Sequence, residues 1–419
     1  MYIYKPERCR LPIKVWAKEG DIEPEALAQI ENAASLPFAY HHAVLLSDGH
    51  CGYGAPIGGV AAMDGVIVPY FVGKDIGCGM SAIKTKIKEW DSEIIKEVMG
   101  EIRNQIPVGM KGLEHPLFDE MPQKQTDAGI KEGWVGTTVI FKEWNNAAKQ
   151  IGTLGGGNHF IELQKDPEGN LWVMLHSGSR HLGSVVCDHY NKLAVDLNAK
   201  YFSSVPPNWQ LAFFPIDSNE GQAYMQEMDY CLKYALFNRY RMIKLIMRIL
   251  QDKFKIIPGG GATLGDYGFE APKDNGILNI HHNYAAYENH FGKNVIVHRK
   301  GATRVREGEI GIIPGSQGTS SYIVRGKGNP DSFMSCSHGA GRKMSRTAAV
   351  ANLNLQDEIA KMDAQGIIHG MRNQDDLDEA AGSYKNIENV ISQQLDLIDV
   401  LVELKPVASI KDHGKRKRR

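Results

Sequence analysis

The sequence predicts an α+β protein folded as one interwoven domain over residues 1–411, followed by a short basic tail at 412–419. Three observations carry that expectation. The 419 residues are 42% hydrophobic and 23% charged, enough apolar material for an extensive core and unlike a disordered or fibrous chain. Short apolar runs broken by glycine alternate with amphipathic stretches, so strands and helices are both expected. No internal repeat or low-complexity linker divides the chain, and residues able to do chemistry are spread from 48 to 411.

Residues 21–35, DIEPEALAQIENAAS, read as a helix with Pro24 in its first turn and Leu27, Ile30 and Ala34 on one face. Between 40 and 90 the runs AVLLSDGH, GAPIGGVAAMDGVIVPYFVG and SAIKTKI read as strands joined by tight loops. DSEIIKEVMGEIRNQ, about 91–105, is expected as a helix ending before Pro107, and the stretch from there to about 135 as a surface excursion. Strands return at HFIELQ (159–164) and LWVMLHSGS (171–179). From 222 to 253, Met228, Leu232, Ala235, Leu236, Ile243, Ile246 and Leu250 recur at helical spacing as a core face. Arg239, Arg241, Lys244 and Arg248 are expected on the solvated face of that helix. NVIVHRKGATRV and GEIGIIPGSQGTSSYIVRG then read as strands and turns, and MSRTAAVANLN opens a helix. A last helix is expected over 385–404, with Ile387, Ile391, Leu395, Ile398 and Val402 inward.

Composition narrows the function classes. No apolar run approaches the roughly 18 residues that span a bilayer, and MYIYKPERCR lacks a basic-then-apolar signal pattern, so a cytoplasmic location and no membrane partner are expected. Six cysteines without paired spacing fit a reducing compartment rather than a disulfide framework. The net charge of -1 rules out a uniformly basic nucleic-acid coat but leaves room for local phosphate sites. The five basic residues at 415–419 read as a solvated end, with electrostatic help to an RNA or a localisation signal as the alternatives.

The chemistry gathers in glycine-flanked segments: SDGHCGYG (47–54), GKDIGCGM (73–80), GGGNHFIE (155–162), LHSGSRH (175–181), IHHNY (280–284) and CSHGAGRKMSR (336–346). Thiolate, imidazole and carboxylate are ligands for zinc, manganese, iron or cobalt, and adjacent glycines let the backbone turn several of them toward one point. Asp75 and Cys78 could thus reach one ion, or two neighbouring ions with the thiolate bridging, and His159, His176 and His282 are natural completing ligands. The bland reading of each segment is a buried cysteine or a satisfied core histidine; their recurrence argues against it. Softness alone would make a thiolate with three imidazoles a zinc site. Glycine-rich turns also expose N–H groups that cradle phosphate, as GIIPGSQGTSSY (311–322) and HGAGR (338–342) could do.

Taken together these segments resemble the RtcB family of RNA-splicing ligases. DIGCGM, LGGGNHFIE, MLHSGSR, HHNY, HRKGA, IIPGSQG, SYIVRG, CSHGAGRKMSRT and AAGSYKNIENV, then a late lysine, run in family order from about residue 10 to 411. The resemblance implies one catalytic domain with mixed sheets and flanking helices. It implies a GTP- and manganese-dependent ligase that joins an RNA 3′-phosphate or 2′,3′-cyclic phosphate end to a 5′-hydroxyl end in splicing or repair. An archease-type activator is the further partner it suggests. Carried over by position, Asp75, Cys78, His159, His176 and His282 look like the ligands of two Mn²⁺ ions with Cys78 shared. His338 looks like the nucleophile that becomes GMP-histidine, and Asp48 like the carboxylate that orients it. The nucleotide would lie against Asn158, His159, Phe160, Ile161, Glu162, His282 and Asn283. Ser321, Tyr384 and Lys411 would surround the guanine with Glu162, closed in by Pro314, Gly315, Ser316, Gln317 and the Gly339, Ala340, Gly341 backbone. Arg180 and Lys300 are the expected contacts to RNA phosphate.

Three segments depart from the family's pattern: SDGH stands for the usual PDVH, GKDIGCG brings Lys74 beside an expected ligand, and HSGSR is followed by His181. They motivate a rival expectation, a paralogue that uses the same GTP activation to cap or repair another 3′-phosphate nucleic-acid end. A non-catalytic RNA-binding protein is the second rival. It is disfavoured because the expected nucleophile and every expected ligand are present.

Overall fold

The computed structural model describes residues 1–122, 138–255 and 276–412. Part of the expected excursion before 135 and the tail from 413 lie outside the described residues.

Among the described residues most strands fall into two sheets. The first has six strands in the order Tyr2–Tyr4, Ile13–Val15, Ala39–His50, Ile57–Met63, Lys293–Lys300 and Asn283–His290. The second has seven, in the order Leu278–His281, Gly79–Lys84, Leu171–Ser177, Phe160–Lys165, Ile398–Lys411, Ser321–Gly326 and Ile310–Ile313. Helix Pro24–Ala34 packs Ala26 and Ile30 on the first sheet with Ile13, Val15 and Leu45. Helices Ser92–Gln105 and Asn219–Phe254 cover the second, where Ile95, Ile102, Ile246 and Leu250 meet Ile161, Leu163 and Val173. Alternating inward residues on the strands and a 3.6-residue stripe on the helices are what bury these faces.

The α+β class holds, and three local expectations are corrected. PYFV, read as strand, is a one-turn helix at Pro69–Val72, because Pro69 takes the first helical position and Gly73 (φ 91°) stops it. The expected helix over 385–404 ends at Ser392, and Ile398–Lys411 is a 14-residue strand inside the second sheet. Ile387, Ile391, Ile398 and Val402 are buried as the expectation required, but Leu395 is half exposed in the connection. The run is rich in β-branched residues, and its Pro406 sits at an irregularity of the ladder, where a missing N–H is tolerated. Arg239 is the third correction: it is fully buried, whereas Lys244 and Arg248 are exposed.

Inside the first sheet Arg299 makes two hydrogen bonds to Glu288, 2.5 and 3.0 Å, with His290 2.9 Å from the same carboxylate. Burial resists the charge on Glu288, but Arg299 and His290 outweigh it and hold the carboxyl down at about 2. This pair therefore contributes stability in full above the unfolded carboxyl pKa of about 4.3, and loses it as pH falls toward 2. Arg299→Ala is expected to cost about 3–5 kcal/mol by leaving a buried carboxylate unpaired. Thermal melts at pH 7 and pH 3 check this, with the deficit smaller at the lower pH.

Candidate active site

Antiparallel pairing brings the site together at one end of the second sheet. Register sets His281 opposite Gly79, Gly79 opposite Ser177, and His176 opposite Phe160. Cys78 before one strand, His176 near the end of the next, His159 before the third and His282 after the edge strand therefore converge, although as many as 204 positions separate them in sequence. His282 is also the single residue between Leu278–His281 in the second sheet and Asn283–His290 in the first.

Two glycines make the loop possible. Gly77 adopts φ 73°, a left-handed conformation that costs a side-chain-bearing residue about 1–2 kcal/mol. A Cβ on Gly79 would stand 1.9 Å from the carbonyl oxygen of Ile280, so only glycine lets the edge strand approach.

The donors form two groups sharing Cys78. Cys78 Sγ lies 3.2 Å from His176 Nε2, which is 3.3 Å from His282 Nε2. On the other side Sγ is 3.5 Å from His159 Nε2, itself 2.9 Å from Asp75 Oδ2. In each group the ligand atoms lie within 4.8 Å of one another. Backbone carbonyls fix two rings from behind: His159 Nδ1 donates to Leu154 (3.0 Å) and His176 Nδ1 to Asn158 (3.0 Å), leaving each Nε2 free to ligate.

The electrostatics suit a cation. Burial, then neighbouring imidazoles, keep His176 and His282 well below the usual histidine range and hence neutral, as ligands must be. Burial opposes charge on Asp75, yet His159 and Cys78 hold its carboxyl at about 2. Burial and the Asp75 charge push the Cys78 thiol well up, so a thiolate here needs a cation beside it. The residues present fit a divalent metal pair.

Next to this centre, Asp48 accepts from His338 twice through Oδ2, from Nδ1 at 2.6 Å and from the backbone N–H at 3.1 Å. Asp48 is fully buried and its Oδ1 has no hydrogen-bond partner. The carboxylate fixes the tautomer with the proton on Nδ1 and the lone pair on Nε2. The rings of His338 and His282 are 4.6 Å apart edge to face.

A cavity of about 700 Å³ opens over both features. Phe160 and Glu162 line it, as do Asn158, Asn283, Tyr384 and Lys411. The turn from Pro314 to Gln317 and the backbone of Gly339, Ala340 and Gly341 close one side. Ser321 sits behind that turn: it accepts from Gly315 N–H (3.1 Å) and from Gln164 (3.0 Å), whose amide also donates to Glu162 (2.7 Å). Burial lifts the Glu162 carboxyl to about 7, with Gln164 and Lys411 pulling the other way. Ile161 is the residue that strand alternation sends elsewhere; its side chain lies in the apolar core with Leu154 and Leu163.

The two expected RNA contacts are built in. Lys300 lines the cavity but is nearly buried, donates to the carbonyls of Tyr53 and Tyr70, and is lowered by burial to about 8. Arg180 adopts φ 60° and turns its guanidinium onto Thr153 (3.1 Å) and the Gly109 carbonyl (2.8 Å), outside the cavity lining. Lys74 lines the cavity half exposed, paired with Asp188 at 2.8 Å and 5.8 Å from the ring centroids of Tyr53 and Tyr70. His181 is exposed, 3.8 Å from Glu143.

Glu379 went unnoticed in the sequence. It is buried, pairs with Lys411 (3.1 Å), Arg346 (3.1 Å) and Arg342 (3.4 Å), and accepts from the Tyr384 hydroxyl. Burial opposes its charge, but these cations hold its carboxyl at about 2. It thus sets two of the expected guanine contacts, Tyr384 and Lys411, in place. As one acid in the run DDLDE its spacing carries no signal.

Fold and site together define an α+β protein with a metal-competent thiolate and imidazole centre beside an aspartate-held histidine. The comparisons give the family: the model described as "tRNA-splicing ligase RtcB" matches residues 29–412. RNA-splicing ligase RtcB of Escherichia coli K12 is 35% identical over 409 residues, covering 96% of this chain and 97% of the relative. tRNA-splicing ligase RtcB of Thermococcus kodakarensis is 32% identical, covering 97% of this chain and 95% of its own length. RNA-splicing ligase RtcB homolog 1 of Entamoeba dispar is 31% identical, covering 93% and 82%. The chain belongs to the RtcB family of RNA-splicing ligases.

Proposed function

We propose that this chain joins an RNA 3′-phosphate or 2′,3′-cyclic phosphate end to a 5′-hydroxyl end, using GTP and forming a GMP-histidine intermediate at His338. The observation that carries the reading is the 2.6 Å contact of His338 with the buried Asp48, set in one cavity with two donor groups that share Cys78. Asp75, Cys78 and His159 would hold one ion and Cys78, His176 and His282 the other, manganese in this reading, to neutralise charge on the phosphate oxygens.

His338 Nε2 attacks the α-phosphorus of GTP; a P–N bond forms, the α–β P–O bond breaks and pyrophosphate leaves. Asp48 stabilises the ring as it becomes positively charged. The RNA 3′-phosphate, opened by water if cyclic, then takes GMP from His338. The 5′-hydroxyl attacks the activated phosphorus and GMP departs. Glu162 faces the cavity as a buried acceptor for the N1–H and amino group of guanine, with Ser321, Tyr384 and Lys411 around it. The N–H groups of the two glycine turns suit phosphate. Arg180 and Lys300 are assigned to the RNA end, which they would reach by exchanging the carbonyls they now hold.

Incubation with α-labelled GTP and Mn²⁺ tests this. One acid-labile label on the peptide containing His338 is expected; no adduct with any divalent metal would overturn the reading.

Lys74 favours a second reading, a paralogue acting on another 3′-phosphate end, because it places a half-exposed cation, paired with Asp188, in the cavity lining. Lys74→Val is expected to leave adduct formation within about twofold and to raise the KM for the nucleic-acid end about fivefold, the worth of one exposed ionic contact of about 1 kcal/mol. Parallel assays with RNA and DNA 3′-phosphate ends separate the two readings.

A further inference from the structure

Arg239 lies inside the helix Asn219–Phe254, fully buried behind the metal-competent centre. Among the described residues no carboxylate forms an ion pair with it; Asp75 and Cys78 affect it only through space. A buried cation left so is costly unless its donors are all used. Here four of its five N–H groups have partners around the metal donors. Nη1 donates to the carbonyls of Gly77 (2.8 Å) and Ser177 (2.9 Å), and Nη2 lies 3.2 Å from His281 Nδ1, which is itself 3.0 Å from the Gly77 carbonyl. Nε donates to Asn279 Oδ1 at 2.7 Å, one strand position before Ile280. Gly77, Ser177 and His281 each stand one residue from a donor, respectively Cys78, His176 and His282. The preceding Asn238 extends the grip, donating to the Gly178 carbonyl (3.1 Å) and accepting from Gly152 N–H (2.7 Å).

We propose that Arg239 is a positioning residue for the metal pair: one planar guanidinium pins the three chain segments that carry Cys78, His176 and His282, so that their ligand atoms are assembled before an ion arrives. The proposal rests on reading the centre as a metal site. It requires the fork as well as the charge, since five donors in a fixed plane can reach three segments at once and an ammonium cannot.

Cobalt(II) is the probe, because thiolate-to-cobalt and ligand-field absorption report the donor set without any turnover. The full-length chain is titrated with Co²⁺ under nitrogen as wild type, Arg239→Lys, Arg239→Met and Arg248→Met, the last an exposed position on the same helix. Circular dichroism and thermal melts establish that each is folded. Both Arg239 variants are expected to bind Co²⁺ about 10–100-fold more weakly, with a weakened thiolate band, the scale seen when a residue supporting ligands is removed. Arg248→Met is expected to match wild type. If Arg239→Met does not fold, Arg239→Lys and Asn279→Ala carry the measurement. Wild-type affinity and spectrum in folded Arg239→Lys would overturn the proposal. A wild-type chain that shows no thiolate band would overturn the metal reading itself, and this inference with it.

Discussion

His338→Ala is expected to leave no GMP on the protein, and Asp48→Asn to slow adduct formation by about 10³–10⁴-fold while the chain stays folded. The first follows from the proposed role of His338, whose Nε2 would be the attacking nitrogen. The second is the more diagnostic, because asparagine keeps the shape but can present its amide N–H to Nδ1. That would favour the tautomer with the proton on Nε2, where the lone pair is needed, and tautomer reversal costs about 10⁴ in a serine-protease triad. The buried carboxylate has only His338 on Oδ2 and nothing on Oδ1, so few other contacts are disturbed. Single-turnover labelling with α-labelled GTP measures both variants. A rate for Asp48→Asn within tenfold of wild type would show that the aspartate does not set the tautomer.

Cys78→Ala is expected to have the second large effect: adduct formation below detection and reduced divalent metal uptake, with the melting temperature of the metal-free chain changed little. Both donor groups use this one sulfur, so its loss leaves two nitrogens on one side and Asp75 with His159 on the other. Neither remainder makes a closed site of the kind that holds an ion firmly. Cys78→Ser keeps the volume and offers a harder, weakly acidic donor, and is expected to fail nearly as completely. Elemental analysis after dialysis, alongside the labelling assay, checks the prediction. Retained stoichiometric metal in Cys78→Ala would remove the case for a shared ligand.

The sequence was most readable where one element speaks for itself. Ile30 beside Pro24 predicts its helix, and the alternation in FIELQ predicts its strand, because local period and turn chemistry decide both. At 398–411 the period failed: Ile398 and Val402 fit a helical stripe as well as a strand, and only pairing with Phe160–Lys165 and Ser321–Gly326 selects the strand. Arg239 was legible in principle. It lies four residues after Ala235 and four before Ile243, on the apolar stripe, but a charged residue there looks like an error until its carbonyl partners are known. The candidate site was readable as a set of residue types and not as a geometry. Nothing in spacing places His282 beside Cys78, because strand order in a sheet is a long-range property. Glu379 was invisible for the same reason: its importance comes from Lys411, Arg342 and Arg346 arriving from elsewhere.

Among the described residues, His282 is the single residue between Leu278–His281 of one sheet and Asn283–His290 of the other, while Val44 and Val60 of the first sheet and Ile313 and Val324 of the second share one apolar cluster. An ion held at its imidazole, as proposed, would be coupled to the docking of the two sheets, and that coupling would be reciprocal: whatever loosened the joint would weaken the ion by the free energy with which the ion tightened it. The ring at this seam thus takes its position from both sides: the His282 N–H donates to the Cys78 carbonyl beside one sheet (2.9 Å), and its own carbonyl accepts from the Ala302 N–H beyond the end of the other (3.1 Å).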